Sequence, residues 1–415
     1  MSSLDLAYGA SIPHRLLTRH IGIFGATGTG KTTSAAAVVD RAPCPVLVID
    51  AKGDLERAGT LLRPRMQIDD MGSDFVARAL DLTPAQSGAL AIALAWAEDT
   101  GRAVHSLADL RNLLNDTMSN AEALAGSYGL VSPQSVAAIG RAILSLERSA
   151  GWAFGASSFD PRRVKGVTVL GAAELANVPG AYAALCAHVL DTLYSGLGEL
   201  GDVAAPGLMV MIDEAHLVFD DAPPALVRRI EQITRLIRSK GVGLIFVTQS
   251  PADLPDAILG QLATRIQHGL RGATPGQVRG LKAAAETIGA TVDDVRTLRT
   301  GEALFSVEGR QAKRVYVRPG TLEMGAAHEP ATFKPQSNGH GGAQGGASGD
   351  DMLRELKNER DELKEEVERL KELLSLRSGK PPANFSDAVP YAPDPFVPIS
   401  PRPAPRRGWW QKLFG

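Results

Sequence analysis

Residues 20–33, His20-Ile-Gly-Ile-Phe-Gly25-Ala-Thr-Gly28-Thr-Gly30-Lys31-Thr32-Thr33, decide how the rest of the chain is read. Gly25 to Thr32 fits the G-x-x-x-x-G-K-[ST] pattern of a phosphate-cradling P-loop. Its flanks suit the motif: Ile21, Ile23 and Phe24 read as a short buried strand, and the alanine- and valine-rich run from Ser34 as a helix. Glycines at 25, 28 and 30 let successive backbone N–H groups turn toward one anion, and the helix start adds unpaired donors and the positive end of its dipole. The candidate binding residues are therefore Gly25, Ala26, Thr27, Gly28, Thr29, Gly30, Lys31, Thr32 and Thr33. Lys31 is placed to reach the β- and γ-phosphates of a nucleotide, and the Thr32 hydroxyl to ligate Mg²⁺.

Bulk properties bound the remaining possibilities. The 415 residues suffice for one large domain with an insertion or for several smaller ones, and 44% hydrophobic content supports a substantial core. A formal net charge of −2 gives no global basic field, so charge selects no partner. Cys44 and Cys186 lie far apart without metal-ligand spacing, which argues against a disulfide framework or zinc site and suits reduced core residues of a cytosolic protein. The first residues, MSSLDLAYGASIPHRLL, lack the charged and apolar regions of a secretory signal, and no apolar run reaches the ~18 residues of a membrane span. The longest apolar stretch, residues 89–96, reads as a buried helix.

Further along, the apolar run at 45–49 ends in Asp50-Ala-Lys52-Gly53-Asp54, as a parallel strand does when it delivers polar groups to the ligand edge of a sheet. The D-x-x-G form of that turn also occurs in GTPases, but no N-K-x-D guanine motif accompanies it. Residues 72–150 change to alanine- and leucine-rich helical patterns with start signals at Thr83-Pro84, Ser106 to Asp109, and Ser132-Pro133, an all-helical insertion of structural character. Strand signals return at 167–170, and a helix is expected over 181–197. At 208–212 an apolar strand runs into Asp213-Glu214-Ala215-His216. Paired acids at such a tip fit the second motif of P-loop ATPases, with Asp213 on the Mg²⁺ shell and Glu214 as general base for the attacking water.

Residues 224–240 form an amphipathic helix, with Ile230, Ile233, Leu236 and Ile237 on one face and Arg228, Arg229, Arg235 and Arg238 largely on the other. The strand at 243–247 ends in Thr248-Gln249, where the Gln is either a γ-phosphate sensor or a simple cap. Residues 303–307 and 314–317 read as a hairpin closing the core near Pro319. The expected organisation is an α/β P-loop core from 1–71 and 151–320, the helical insertion at 72–150, and a glycine-rich linker at 321–350. A short coiled coil follows at 351–377, then a proline-rich tail at 378–415 with a basic and aromatic tip. That tip suits a partner protein, a membrane surface or nucleic acid.

Taken together, GATGTGKT, IDAKGDL (49–55), IDEAHLVFDDAP (212–223), RLIRSKGVGLIFVTQSP (235–251) and LGQLATRIQHGLRGATP (259–275) resemble the HerA-like branch of the HerA/FtsK superfamily. The bacterial ATPases of the YjgR type are nearest, and the insertion segment SYGLVSPQSVAAIGRAILSLE (127–147) matches their pattern. The resemblance implies a mainly parallel RecA-like sheet holding ATP and Mg²⁺ at its C-terminal edge, in a homo-oligomeric ring, usually hexameric, with sites between subunits. It implies Lys31 and Thr32 on phosphate and Mg²⁺, Asp213 supporting the metal, Glu214 as base and Gln249 as polar sensor. Arg238 matches the arginine-finger position, acting on a neighbouring subunit's ATP, with Arg265 as second choice. HerA helicases carry an N-terminal β-barrel before the loop, and about twenty residues precede it here. Two functions are consistent with this: a ring ATPase acting on DNA as helicase or translocase, or an ATP-dependent oligomeric scaffold that moves no strand and recruits partners through its C-terminal helix.

Overall fold

The computed structural model describes residues 2–320 apart from 158 and 273, so the expected coiled coil and proline-rich tail lie outside the described residues. Strands β1 (Ser3–Ala7) and β2 (Ala10–Pro13) pair as an antiparallel hairpin. The nine others form one sheet: β3 (Ile21–Phe24), β4 (Val46–Asp50), β5 (Thr60–Leu62), β6 (Val167–Gly171), β7 (Leu208–Ile212), β8 (Val242–Thr248), β9 (Thr264–His268), β10 (Glu302–Val307) and β11 (Lys313–Tyr316). Their order is β11-β10-β9-β3-β8-β7-β4-β6-β5. Every pair from β9 through β5 is parallel, and the two antiparallel pairs are those of β10 with β9 and with β11. All parallel strand tips therefore point to one edge, and β3 delivers the loop from the middle of it.

Alternation along the strands explains how the sheet is covered on both faces. Phe24, Leu47, Ile49, Val210, Ile212, Leu244 and Phe246 enter one core with the helices Pro179–Gly196 and Pro224–Leu236 and the helices of residues 73–150. Ile21, Ile23, Val46, Val48, Met209, Met211, Ile245 and Val247 enter the other, with the helix Lys31–Asp40 and the β1–β2 hairpin. Cys44 and Cys186 are buried and free, one in each core. A smaller cluster joins the helix Pro275–Ile288 to β10 through Leu281, Ala285 and Leu304.

The start signals read at Ser106 and Ser132 operate as caps. Asp109 accepts the Ser106 N–H at 2.9 Å while the Asp109 N–H reaches the Ser106 hydroxyl at 3.2 Å, and Ser132 receives the Ser135 N–H at 3.1 Å. The arginine-rich helix differs in one respect. Leu236, expected on its buried face, is 38% exposed, because the helix ends there and a tighter turn, Ile237–Lys240, rotates Ile237 and Lys240 inward. No described helix is long and apolar enough to cross a membrane.

His20 joins the layers beneath the loop. Its Nε2–H donates to the Thr234 carbonyl at 2.7 Å, and its Nδ1 accepts the Leu244 N–H at 3.0 Å. Burial pushes its pKa down from 6.5 to about 4, since both ring nitrogens are committed to the neutral tautomer. A depressed histidine pKa stabilises the fold fully above the unfolded value and loses that contribution as the pH falls toward the folded one. Chemical denaturation should thus show about 3 kcal/mol of stability at stake on this residue between pH 6.5 and 4. In His20→Ala the curve over that interval should be correspondingly flatter, and an unchanged slope would refute the linkage.

Candidate functional site

The loop at the tip of β3 is anchored from both sides. The Gly25 N–H donates to the Gln249 carbonyl beyond β8, and the Ala26 N–H to the Gly269 carbonyl beyond β9, each at 3.0 Å. Thr29 closes the turn internally, its hydroxyl donating to the Ala26 carbonyl at 2.7 Å, and its own carbonyl receives the Gly301 N–H at 3.0 Å. Gly30, at φ +116°, hands the chain to the helix beginning at Lys31. The N–H groups of Lys31, Thr32 and Thr33 therefore open a helix without carbonyl partners inside it, an arrangement suited to an anion. Lys31 is buried, and its ammonium donates to the carbonyls of Gly25 (2.7 Å) and Ala26 (3.2 Å). Burial and the nearby Lys52 charge lower its pKa, while Glu214 and Asp213 oppose that shift.

Beside the loop, β7 ends in the two acids. Both are buried, and the Tyr182 hydroxyl donates to the Asp213 carbonyl. Burial raises the Asp213 carboxyl to about 7, against the pull of Lys52. Glu214 goes the other way. Burial opposes its ionisation, yet contacts with His216 and Lys52 outweigh that and hold it at about 2. Lys52 forms an ion pair with Glu214, and His216 Nδ1 lies 3.1 Å from its Oε2. The Glu214 contact raises the His216 pKa. Glu214 also adopts φ +43°, an uncommon backbone conformation for a side-chain-bearing residue.

Several partners in this cluster were not assigned a role from sequence. Lys52 reaches Glu214 because β4 lies directly beside β7, and because the buried Asp50 carboxylate accepts the N–H groups of Lys52 (3.1 Å), Gly53 (2.9 Å) and Leu55 (2.8 Å), fixing the turn. Asp54 accepts the Thr32 hydroxyl at 3.4 Å. His268 props the loop from below: its Nε2 accepts the Ser34 hydroxyl at 2.8 Å, its Nδ1–H donates to the Glu302 carbonyl at 2.9 Å, and burial lowers its pKa to about 4. The Ser34 and His268 side chains carry no motif, and the sole sequence cue for Lys52 is its place in a polar turn after an apolar strand.

The remaining expected residues are distributed unevenly. Gln249 is at the site, but the contact it makes to the loop is through its backbone carbonyl, and its side chain is exposed. Thr27 and Gly28 are exposed at the crest of the loop, and Thr33 is half-buried. Arg238 is exposed in the turn before β8, at the sheet edge opposite the loop. Arg265 is engaged within its own subunit, donating to the carbonyls of Thr287 (2.9 Å) and Leu259 (2.8 Å).

Against known proteins, the family described as Helicase HerA-like C-terminal matches residues 57–328, well over half of the chain. The chain belongs to this HerA-like family. The loop precedes the matched segment and rests on its own motif and geometry. No curated protein matches. Among solved structures, the bacterial conjugative coupling protein TrwB in an unbound form superposes with a TM-score of 0.59 at 14% identity, covering 80% of this chain and 91% of that one. TrwB with ADP and Mg²⁺ gives 0.57 at 15% identity, covering 81% and 93%. VirB4 of Thermoanaerobacter pseudethanolicus gives 0.55 at 16%, covering 74% and 91%. At such identities the likeness concerns the fold alone, which is the RecA-like α/β arrangement of a mainly parallel sheet.

The packing beneath the loop makes a prediction. Gly25 stands at φ +150°, and a Cβ there would lie 2.5 Å from the His268 Cβ, whereas nothing comes within 4 Å of one at Gly28. Gly25→Ala should cost about 1–3 kcal/mol by overpacking, lowering the thermal unfolding midpoint more than Gly28→Ala does. The reverse order would contradict this account of the loop.

Proposed function

We propose that this chain binds ATP with Mg²⁺ on Gly25 to Thr33 and hydrolyses it, in a ring whose subunits complete one another's sites and which acts on DNA. The observation that carries the reading is the place of Glu214: a buried carboxylate at the tip of β7, close enough to Lys31 to act on its charge, paired with Lys52 and 3.1 Å from His216 Nδ1. A carboxylate at that place is set to accept a proton from the attacking water. TrwB, the similar fold, has been crystallised with ADP and Mg²⁺. The sequence of residues 127–147 further suggests the YjgR type within the family.

The donor set suits the ligand. Among the described residues no three His, Cys, Asp or Glu side chains converge as a metal site of their own. A divalent ion here would share phosphate oxygens, as Mg²⁺ usually does, with Thr32 and Asp213 as its protein side. Bound there, Mg²⁺ would supply charge neutralisation to the phosphate chain. The loop N–H groups and Lys31 hold the phosphate chain, and Glu214 takes a proton from water as its oxygen bonds to the γ-phosphorus. The bond from that phosphorus to the bridging oxygen breaks, and ADP and phosphate leave.

The test is an ATPase assay of wild type and Glu214→Gln, with and without single- and double-stranded DNA. Hydrolysis should be present in wild type and reduced at least about a hundredfold in Glu214→Gln, the scale of a lost general base. Stimulation by DNA that falls steeply with salt supports action on nucleic acid. Hydrolysis without any DNA binding at low salt supports the scaffold reading instead, and no hydrolysis under any condition ends the enzyme reading.

Arg238 is the preferred finger. Lying at the edge away from its own loop, it can serve only a neighbour's site, whereas Arg265 is committed to carbonyls of its own chain. A finger contributes about 10³–10⁵ in rate in other P-loop enzymes. Arg238→Ala should therefore bind ATP normally in a filter or calorimetric assay while turnover collapses, and normal turnover would remove the assignment.

A further inference from the structure

An exposed aromatic ring beside the loop has no part in the chemistry just described. Tyr316, the last residue of β11, is 63% exposed and pairs across the hairpin with Glu302. Val315 and Val317 turn into the core beneath, which sends Tyr316 to the other face. No hydrogen bond from its hydroxyl occurs among the described residues. The ring packs on Gly301, where φ is +85° and an added Cβ would lie 2.8 Å from Tyr316 Cε2 and 3.3 Å from its hydroxyl oxygen. Gly301 in turn buttresses the loop: its N–H donates to the Thr29 carbonyl at 3.0 Å, its carbonyl accepts the Val317 N–H at 3.0 Å, and its Cα would stand 3.3 Å from a Cβ on Gly30. One residue layer thus separates an exposed tyrosine from the phosphate loop.

The placement has a direction. Asp213, Glu214 and Gln249 stand at the tips of β7 and β8, on one side of β3, and fix where the terminal phosphate would sit. The opposite side of the loop is flanked by β9, β10 and β11. A nucleotide whose γ end meets β7 and β8 extends its nucleoside toward that other flank. The chain after Tyr316 is also immobilised, with Arg41 of the loop-helix end donating to the carbonyls of Arg318 (3.1 Å) and Pro319 (2.9 Å).

The geometry points to Tyr316 as the platform on which the nucleobase stacks, with Gly301 kept free of a side chain so that the ring packs directly against the backbone supporting the loop. This rests on the nucleotide-binding reading above. Stacking on an aromatic face is tolerant of base identity, so the platform favours a nucleoside triphosphate over bare polyphosphate without selecting strongly among bases.

Calorimetric titration with Mg-ATP and with Mg-tripolyphosphate separates the two readings. Wild type should bind both. Tyr316→Ala should lose about tenfold or more in ATP affinity, the scale of one base–aromatic stack, and keep its tripolyphosphate affinity, while Tyr316→Phe keeps both. Unchanged ATP binding in Tyr316→Ala overturns the platform. So does an equal loss for both ligands, which would make the ring a prop for the loop through Gly301. A wild type that binds neither ligand overturns the nucleotide site itself.

Discussion

Two backbone hydrogen bonds, from the Gly25 N–H to the Gln249 carbonyl and from the Ala26 N–H to the Gly269 carbonyl, suspend the glycine loop between the ends of its two flanking strands. A glycine-rich segment has much conformational freedom to lose on ordering. Here that loss is offset because the loop's first two donors are committed, His268 fills the space beneath, and Gly301 takes the Thr29 carbonyl. All the other geometry of the site is referred to this suspension, since β7 and its acids are placed by their register against β8.

The neighbouring acids of β7 illustrate how two identical functional groups one residue apart are given opposite character. Asp213 faces inward, where desolvation favours its neutral form. Glu214, at its positive φ, meets the Lys52 ammonium and His216 Nδ1 instead. Residues held in such conformations cost on the order of 1–3 kcal/mol. The Lys52 ion pair and the backbone bonds of Asp213 and Ala215 to Ile49 and Val247 hold the turn in place against that cost.

How much of this was legible in the sequence depended on whether the signal is local. The loop, the strands at 45–49, 208–212 and 243–247, and the capped helices of residues 73–150 announce themselves through contiguous apolar runs, glycine spacing or cap residues. The β1–β2 hairpin and the three-residue β5 are too short for a periodic pattern. The helix Pro275–Ile288 does carry one, with Leu281, Ala284, Ala285 and Ile288 buried after a Thr274–Gln277 cap, but it sits directly behind a strand-like segment. The roles of Lys52 and His268 depend on strand order, which no local pattern encodes: Lys52 acts through the β4–β7 neighbourhood and His268 through β9 lying beside β3. Arg265 and Arg238 read alike as charges near strands, and the difference lies in the carbonyls of Thr287 and Leu259 that surround only the former.

The central position of β3 carries a temporal consequence. Its partners, β8 and β9, begin more than two hundred residues later, and Leu244 meets His20 across a separation of 224 positions. At a synthesis rate of roughly 5–20 residues per second, the loop-bearing strand emerges tens of seconds at most before either neighbour exists to receive it. Loop closure over such a span also delays its pairing relative to nearby helices. The nascent chain therefore carries its glycine loop unassembled until the strand bearing Thr248 has been made, so an interrupted translation product ending before β8 lacks the framework that gives the motif its shape.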